Sequence, residues 1–239
     1  MEHRPLRTRR LKENIRRLLL EEDLDRGFSE IVRYPGRRIV NPLFSFLYAG
    51  NELLKWRAVS AMGVVVDNLA RENMESARIV MRRLMWNLND ESGGIGWGSP
   101  EAMGEIMAQN ENLAVEYHSI LISFMAEDQN YLEHHVLQRG FLWGAGRLAH
   151  AKPALLGAAA PHLNPFFKST DPLKRALSAW AALPLRNPVN LSGLKNLLKD
   201  EHAVRIYVNG VFETLRIDDL AVRAITAIEN RHTGSTSVK

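Results

Sequence analysis

The chain of 239 residues contains no cysteine, which excludes disulfides, thiolate metal sites and cysteine nucleophiles together. It also lacks long apolar runs: the longest uncharged apolar runs, such as residues 58–66, are about nine residues long, against the ~20 that span a bilayer. The basic N-terminus is followed only by the short apolar run 18–20, which is too short for a signal peptide. These absences predict a cytoplasmic protein without a membrane span.

Lysine and arginine are missing from residues 84–138. Nine carboxylates lie in that segment: Asp90, Glu91, Glu101, Glu105, Glu111, Glu116, Glu127, Asp128 and Glu133. The rest of the chain therefore carries 31 basic and 18 acidic residues, a net charge of +13 against −9 in the middle. This segregation predicts a dipolar surface that steers a partner, and an uneven spread of charge over solvated helix faces is the alternative.

Most of the chain shows the apolar spacing of amphipathic helices. In residues 52–70 the apolar side chains fall on one side of such a helix: Leu53, Leu54, Ala58, Ala61, Met62, Val65 and Leu69. Turn signals at Pro35-Gly36 and at Asn41-Pro42 precede it, so we expect a short helix from Leu43 and a helical hairpin.

The hairpin recurs along the chain. Residues 56–62 (WRAVSAM) match residues 174–180 (KRALSAW), with Arg, Ala, Ser and Ala identical. Two further helix starts lie between them, so we take as equivalent four positions spaced by 44, 38 and 36 residues: Arg57, Glu101, Arg139 and Arg175. Periods near 40 with two helices each are typical of helical solenoids.

These units resemble the HEAT-like, armadillo-type helical repeat family. The family pattern is a short first helix, a turn with Asp or Asn, and a second helix that opens with Arg followed by small and apolar residues. It occurs at residues 43–63 and 164–182. The resemblance implies an all-α, HEAT-like right-handed superhelix, an armadillo-type solenoid, of about four to five hairpins; function must be argued from particular sites.

The two ends of the chain differ from the repeats. We expect residues 1–40 to form a basic N-terminal helix, over residues 1–25, and a cap. Nucleic acid, an acidic protein or a membrane are alternative contacts of this helix. Residues 41–200 hold the repeats. In residues 201–230, Asn209-Gly210 between two alternating runs predicts a type I′ β-hairpin, followed by a terminal helix. Residues 231–239 are expected to be a disordered tail.

The loop and helix start at residues 86–107 contain two Trp, a Gly-rich centre and no basic residue. Four carboxylates with one Trp form the candidate partner site: Asp90, Glu91, Trp97, Glu101 and Glu105. We expect this site to bind a partner with a basic surface, with Trp97 as an aromatic platform. A structural turn, with Ser99 capping the next helix and Trp97 in the core, is the alternative.

A second resemblance, to HEAT-like DNA glycosylases that excise alkylated bases, implies a different site. It would use Arg82, Arg83, Trp86 and Asp90, with Trp86 and Asp90 four residues apart on one helix face. The basic flanks permit phosphate contacts, but the carboxylates around this site would repel a nucleic-acid backbone.

Signals for catalysis and metal binding are few. His134 and His135 are adjacent and point about 100° apart on a helix, so they do not easily chelate one metal, and no HExxH or GxSxG motif occurs. We therefore expect no metal, no cofactor and no catalytic residue. The sequence favours a non-enzymatic scaffold that binds a protein partner through a concave face and the loop 86–107.

Overall fold

The computed structural model describes the backbone of residues 8–89 and 96–234, and the side chains of residues 8–88 and 96–230. The chain divides into two compact units, Met1–Asn110 (unit 1) and Glu111–Lys239 (unit 2). This division falls inside the predicted repeat segment 41–200. Of the predicted segment boundaries, 200 lies shortly before the first strand, whereas 40 and 230 fall inside helices.

Unit 1 is a set of helices in which one long helix contacts most of the others. In chain order they are α1 (Thr8–Leu19), α2 (Leu24–Ile31), α3 (Gly36–Leu47), α4 (Glu52–Glu72), α5 (Met74–Asn89) and α6 (Ser99–Gln109). The long helix α4 packs against α3, α5 and α6. Its buried stripe of Ala58, Met62, Val65 and Leu69 recurs at three- and four-residue intervals, as the sequence predicted.

Two expectations for unit 1 are wrong in detail. The helix predicted over residues 1–25 ends at Leu19, and α2 begins anew after Asp23, whose side chain accepts a hydrogen bond from the Arg26 amide at 2.9 Å. The short helix expected to begin at Leu43, directly after Pro42, begins instead at Gly36 and contains Pro42. Pro42 lacks the amide that would donate to the carbonyl of residue 38, and Arg38 is exposed, so this missing hydrogen bond lies on the solvent side of α3.

Unit 2 combines helices with the small hairpin. Its elements are α7 (Glu111–Ser123), α8 (His135–Ala151), α9 (Ala160–Leu163), α10 (Pro172–Leu185), α11 (Leu191–Lys195), β1 (Ala203–Val208), β2 (Val211–Arg216) and α12 (Ile217–Gly234). Helix α10 packs between α8 and α12. The segment before α10 is broken into short turns because Pro153, Pro161 and Pro165 each lack an amide donor. Helix α12 extends beyond the predicted end of the terminal helix, into the segment expected to be disordered.

The predicted β-hairpin is confirmed. Strands β1 and β2 pair antiparallel, with Val208 opposite Val211 beside the turn. Asn209 and Gly210 have φ of 48° and 87°, the two positive values that a type I′ turn requires. Asn and Gly adopt this conformation at little steric cost, which is why the dipeptide predicted the turn.

Arginines at the starts of second helices join successive elements. Arg139 Nε lies 2.7 Å from Asp171 Oδ2, and Arg175 Nε lies 2.6 Å from Asp200 Oδ2. Arg57 in unit 1 instead donates to two carbonyl oxygens at and just after the end of α1, at 3.0 and 2.6 Å. The repeated arginines therefore hold neighbouring elements together.

None of the helices in the described part of the chain is both long enough and apolar enough to cross a bilayer.

Candidate functional site

Helix α5 exposes a face that carries two large apolar residues. Ile79, Arg82, Arg83 and Trp86 follow one another at intervals of three, one and three, so they share one side of the helix. Ile79 is 55% exposed and Trp86 is 73% exposed. The opposite side holds Ala77, Met81 and Leu84 in the core. Trp86 is thus presented to solvent by a helix whose other side is fixed by packing.

Both arginines on this face are held by neighbours. Arg82 Nη2 donates to Glu75 Oε1 at 2.5 Å, and this bond is the main reason that the pKa of Glu75 lies below its usual value. Arg83 Nη1 donates to Asn41 Oδ1 at 2.6 Å, and its guanidinium lies 3.9 Å from the centre of the Phe44 ring. The two cations flank Trp86 in defined positions.

Trp97 lies close to the end of α5. An added Cβ on Gly96 would come within 2.7 Å of the Asn87 carbonyl oxygen, so the chain before α6 returns onto the last turn of α5. Gly98 has φ of 79° and its added Cβ would lie 2.9 Å from Leu47 Cβ. Between these two close approaches Trp97 remains 41% exposed. Trp86 and Trp97 therefore flank the same end of the α5–α6 hairpin.

Glu101 and Glu105 are enclosed rather than open to a partner, being 4% and 5% exposed. Glu101 Oε1 lies 3.1 Å from Lys55 Nζ, and Glu105 Oε1 accepts from Gln109 Nε2 at 2.6 Å. They are enclosed because α6 lies against both α4 and α5, and residues 99–108 are all buried. In the described residues, these two carboxylates belong to the interior of unit 1.

The remaining members of the predicted sites have different outcomes. Asp90 and Glu91, and with them the pairing of Trp86 with Asp90, lie outside the described residues. Ser99 is not the cap that was expected: Gly98 occupies the N-cap position and Ser99 is the first helical residue. Glu101 Oε2 and Ser99 Oγ are buried with no hydrogen-bond partner among the described residues. The start of α6 therefore holds two buried polar atoms that have no partner in the described part of the chain.

The histidines have structural contacts. His134 caps α8, its Nδ1 accepting from the Val136 amide at 3.2 Å, and its ring stacks on His135 at 4.8 Å between centroids. His118 Nδ1 lies 3.0 Å from the Ala114 carbonyl oxygen. Within residues 8–88 and 96–230, no three side chains of the metal-binding types come together.

Sequence reasoning missed the role of Ile79. An isoleucine at helical spacing is usually a core residue. Ile79 differs from a core residue because it lies on the same side of the helix as Arg82, Arg83 and Trp86. The apolar positions Ala77, Met81 and Leu84 already define the buried side of α5. Ile79 therefore extends the exposed apolar surface around Trp86.

Comparison with known sequences gives one partial relative. An uncharacterized protein from Archaeoglobus fulgidus is 30% identical over 107 residues, which cover 45% of this chain and 52% of that protein. The chain thus spans about half the length of the curated relative that it matches. No family model matches the chain.

Comparison with solved structures decides the fold. A designed armadillo repeat protein matches with a TM-score of 0.50 and 13% identity, over 91% of this chain and 99% of that one. A second designed armadillo repeat protein, in complex with the peptide (KR)4, matches with a TM-score of 0.52 and 16% identity over the same shares. An engineered protein matches with a TM-score of 0.52 and 14% identity, over 92% of this chain and 97% of that one.

The chain has the armadillo/HEAT-like helical repeat fold. The resemblance inferred from residues 43–63 and 164–182 is confirmed at the level of the fold, including the all-α class with a small hairpin. In this armadillo-like chain the four positions taken as equivalent, Arg57, Glu101, Arg139 and Arg175, all make contacts between elements. At identities of 13–16% the solved structures establish the fold alone.

Proposed function

We propose that this protein is a non-enzymatic interaction module of the armadillo/HEAT type that binds a segment of a partner protein. The contact surface is the end of the α5–α6 hairpin, within the loop region 86–107. The concave face expected of a helical solenoid completes this surface. In unit 1 the second helix of the repeat hairpin, α4, would line that face.

The exposure of Trp86 is the observation that carries this proposal. A tryptophan that is 73% exposed leaves a large apolar surface in water, and tryptophan and arginine are enriched among the residues that dominate binding energy. Trp97 and Ile79 add exposed apolar area close by. Trp86 and Trp97 are the anchors in this proposal, and residues around them exclude water on binding.

The partner segment is basic in this proposal. The region 84–138 has no lysine or arginine, and Asp90 and Glu91 stand between the two tryptophans in sequence. One designed armadillo repeat protein of similar fold is in complex with a basic peptide, (KR)4. Cation–π contact with exposed tryptophan is an additional attraction for such a segment.

The test is a fluorescence-anisotropy titration of labelled (KR)4 with the full chain, beside an uncharged (SG)4 peptide. We expect saturable binding of (KR)4 alone, and a loss of at least about tenfold in affinity for Trp86→Ala and for Trp97→Ala, as expected of anchor residues. Leu198→Ala, which removes an exposed apolar side chain in unit 2, is the control and should bind as the parent does. Equal binding of both peptides, or unchanged affinity in both Trp variants, would refute the proposal.

The nucleic-acid reading remains an alternative outcome of the same experiment. Arg82, Arg83 and Trp86 share one face, but the arginines are engaged with Glu75, Asn41 and the Phe44 ring. Labelled duplex DNA should therefore bind more weakly than (KR)4 at physiological salt. A repair enzyme would be favoured instead by two results together. The first is tight duplex binding that weakens steeply with salt. The second is release of bases from alkylated DNA, which Asp90→Asn should abolish.

A further inference from the structure

A groove of about 480 Å³ lies in unit 1, away from the α5–α6 end described above. One wall is the helix α1, and the other is the end of α3 with the turn into α4. This volume is within the ~300–1,000 Å³ typical of ligand-binding clefts. No predicted site includes it.

The α1 wall of the groove is a stripe of cations. The inner side of α1 is fixed in the core by four residues: Leu11, Ile15, Leu18 and Leu19. Packing on that side turns Arg9, Lys12 and Arg16, at intervals of three and four, toward the groove. Arg9 and Arg16 are seven positions apart, so at a rise of 1.5 Å per residue the stripe is about 10.5 Å long.

Most of this charge is uncommitted. Among the described residues, Glu13 is the one carboxylate that lines the groove. Its Oε1 lies 3.3 Å from Arg9 Nε in an exposed pair, which contributes little stability. Lys12 and Arg16 have no ion-pair partner among residues 8–88 and 96–230. Lys12 Nζ lies 5.4 Å from the centre of the Phe46 ring. Three cations and one carboxylate leave the groove with a net positive charge.

The opposite wall adds a donor. Asn51 caps α4, and its Oδ1 accepts from the Leu54 amide at 2.9 Å, which leaves its Nδ2 group to donate to a ligand. The positive end of the 21-residue helix α4 faces the same turn. Both features reinforce the cations of α1 in favouring an anionic ligand.

We propose that this groove binds an acidic segment of a partner polypeptide, whose carboxylate or phosphate oxygens contact Arg9, Lys12 and Arg16. Extended residues advance about 3.3 Å each, so three to four residues of such a segment match the length of the stripe. Arginine binds both carboxylate and phosphate through paired donors. The segment differs in charge from the basic segment proposed for the α5–α6 end, so the two sites are independent.

A polypeptide fits the groove better than a nucleic acid for two reasons. Glu13 would repel a continuous phosphate backbone, whereas a peptide places its anionic groups at chosen positions. Phe46, the aromatic residue of the groove, is buried beside Lys12 and offers no open face on which a base could stack.

The test measures binding of labelled (SE)4 and its phosphoserine counterpart to the full chain at low salt. The double variant Lys12→Gln/Arg16→Gln should lose at least about tenfold in affinity, since two charge-assisted contacts are removed. Arg10→Gln/Arg17→Gln is the matched control: it makes the same change in net charge on α1 outside the groove, and should change affinity less than about twofold. All four residues are exposed, and equal urea midpoints would verify that the variants are folded.

The outcomes separate this proposal from the others. Tighter binding of the phosphopeptide supports the groove and identifies phosphate as the preferred anion. Equal binding of both peptides supports a groove that accepts either anion. Equal losses in both double variants, no saturable binding at low salt, or tighter binding of a 20-base-pair duplex that depends on Lys12 and Arg16 would overturn it. (KR)4 should bind the Lys12→Gln/Arg16→Gln variant as it binds the parent. The groove is tested with acidic peptides, so its result can be interpreted even if the α5–α6 end does not bind (KR)4.

Discussion

Four of the five tryptophans have opposite environments in the two units, and the fifth, Trp56 of unit 1, is half-buried. In unit 2, Trp143 and Trp180 are buried with ring centres 6.3 Å apart, and Trp143 Nε1 donates to the Tyr207 carbonyl oxygen at 2.8 Å. In unit 1, Trp86 and Trp97 are exposed at the end of one hairpin. Trp143 and Trp180 therefore stabilise the interior of unit 2, whereas Trp86 and Trp97 present apolar surface to solvent.

The cations show the same contrast. Arg139 and Arg175 in unit 2 are paired with aspartates of the next element, whereas Lys12 and Arg16 in unit 1 line a groove without an ion-pair partner in the described residues. The two arginines of unit 2 add cohesion, as Arg57 does in unit 1. Lys12 and Arg16 are instead presented at the surface of unit 1, in the groove proposed as a second binding site.

The largest effect expected from this comparison concerns the tryptophans themselves. Trp180→Ala should lower the free energy of unfolding by about 3–5 kcal/mol, the usual cost of removing a buried Trp. Trp180 is packed so closely that an added Cβ on Gly146 would lie 2.4 Å from its ring. Trp86→Ala should change stability by less than about 0.5 kcal/mol. Urea unfolding measures both, and similar losses in the two variants would break the comparison.

A smaller effect is expected from the paired arginines of unit 2. Arg175→Gln should cost about 2 kcal/mol, because it leaves Asp200 without its charged donor in a largely buried position. Arg139→Gln is the matched control, and since the Arg139 side chain is 42% exposed its loss should be below about 1 kcal/mol. The order of the two urea midpoints checks this prediction, and a reversed order would show that burial does not set the strength of these pairs.

The same pair predicts a pH dependence. Burial raises the pKa of the Asp200 carboxyl, but the hydrogen bonds from Arg175 and His202 outweigh it and hold the pKa below its usual range. The pair therefore contributes fully above the unfolded pKa of about 3.9, and its contribution is lost as the pH falls through the lower folded value. The difference in stability between the parent and Arg175→Gln should shrink below about pH 4. A constant difference would contradict the assignment.

The smallest effect concerns the turn of the hairpin. Gly210→Ala should cost about 1 kcal/mol, because φ of 87° is unfavourable for a residue with a Cβ. Gly157→Ala is the control, since nothing lies within 4 Å of its added Cβ, and it should be neutral or slightly stabilising. Thermal unfolding compares them, and a neutral Gly210→Ala would mean that the hairpin adds little to unit 2.

Local signals predicted the parts of the fold that depend on local chemistry. The Asn209-Gly210 turn and the buried stripe of α4 were readable because backbone conformation and helical periodicity fix them. The start of α3 was not, because whether Pro42 begins or interrupts a helix depends on its tertiary surroundings. The repeated Arg indicated the solenoid but not its partners Asp171 and Asp200, which come from the next element.

The candidate site was predictable only in part. A single sequence gives the spacing of Glu101 and Glu105 but not the side of α6 that meets α4, so their burial could not be foreseen. Trp86 and Trp97 were both recognised, yet their common position depends on the close approach of Gly96 to Asn87. Such approaches are set by packing between elements, which periodicity does not encode.

The most direct test of the contrast between the two units is hydrogen–deuterium exchange of the full chain with and without saturating (KR)4. We predict slower exchange in fragments that cover residues 84–107, around Trp86 and Trp97. No change is expected around Trp143 and Trp180, which are already committed to packing. Protection confined to unit 2, with none in residues 84–107, would contradict the account.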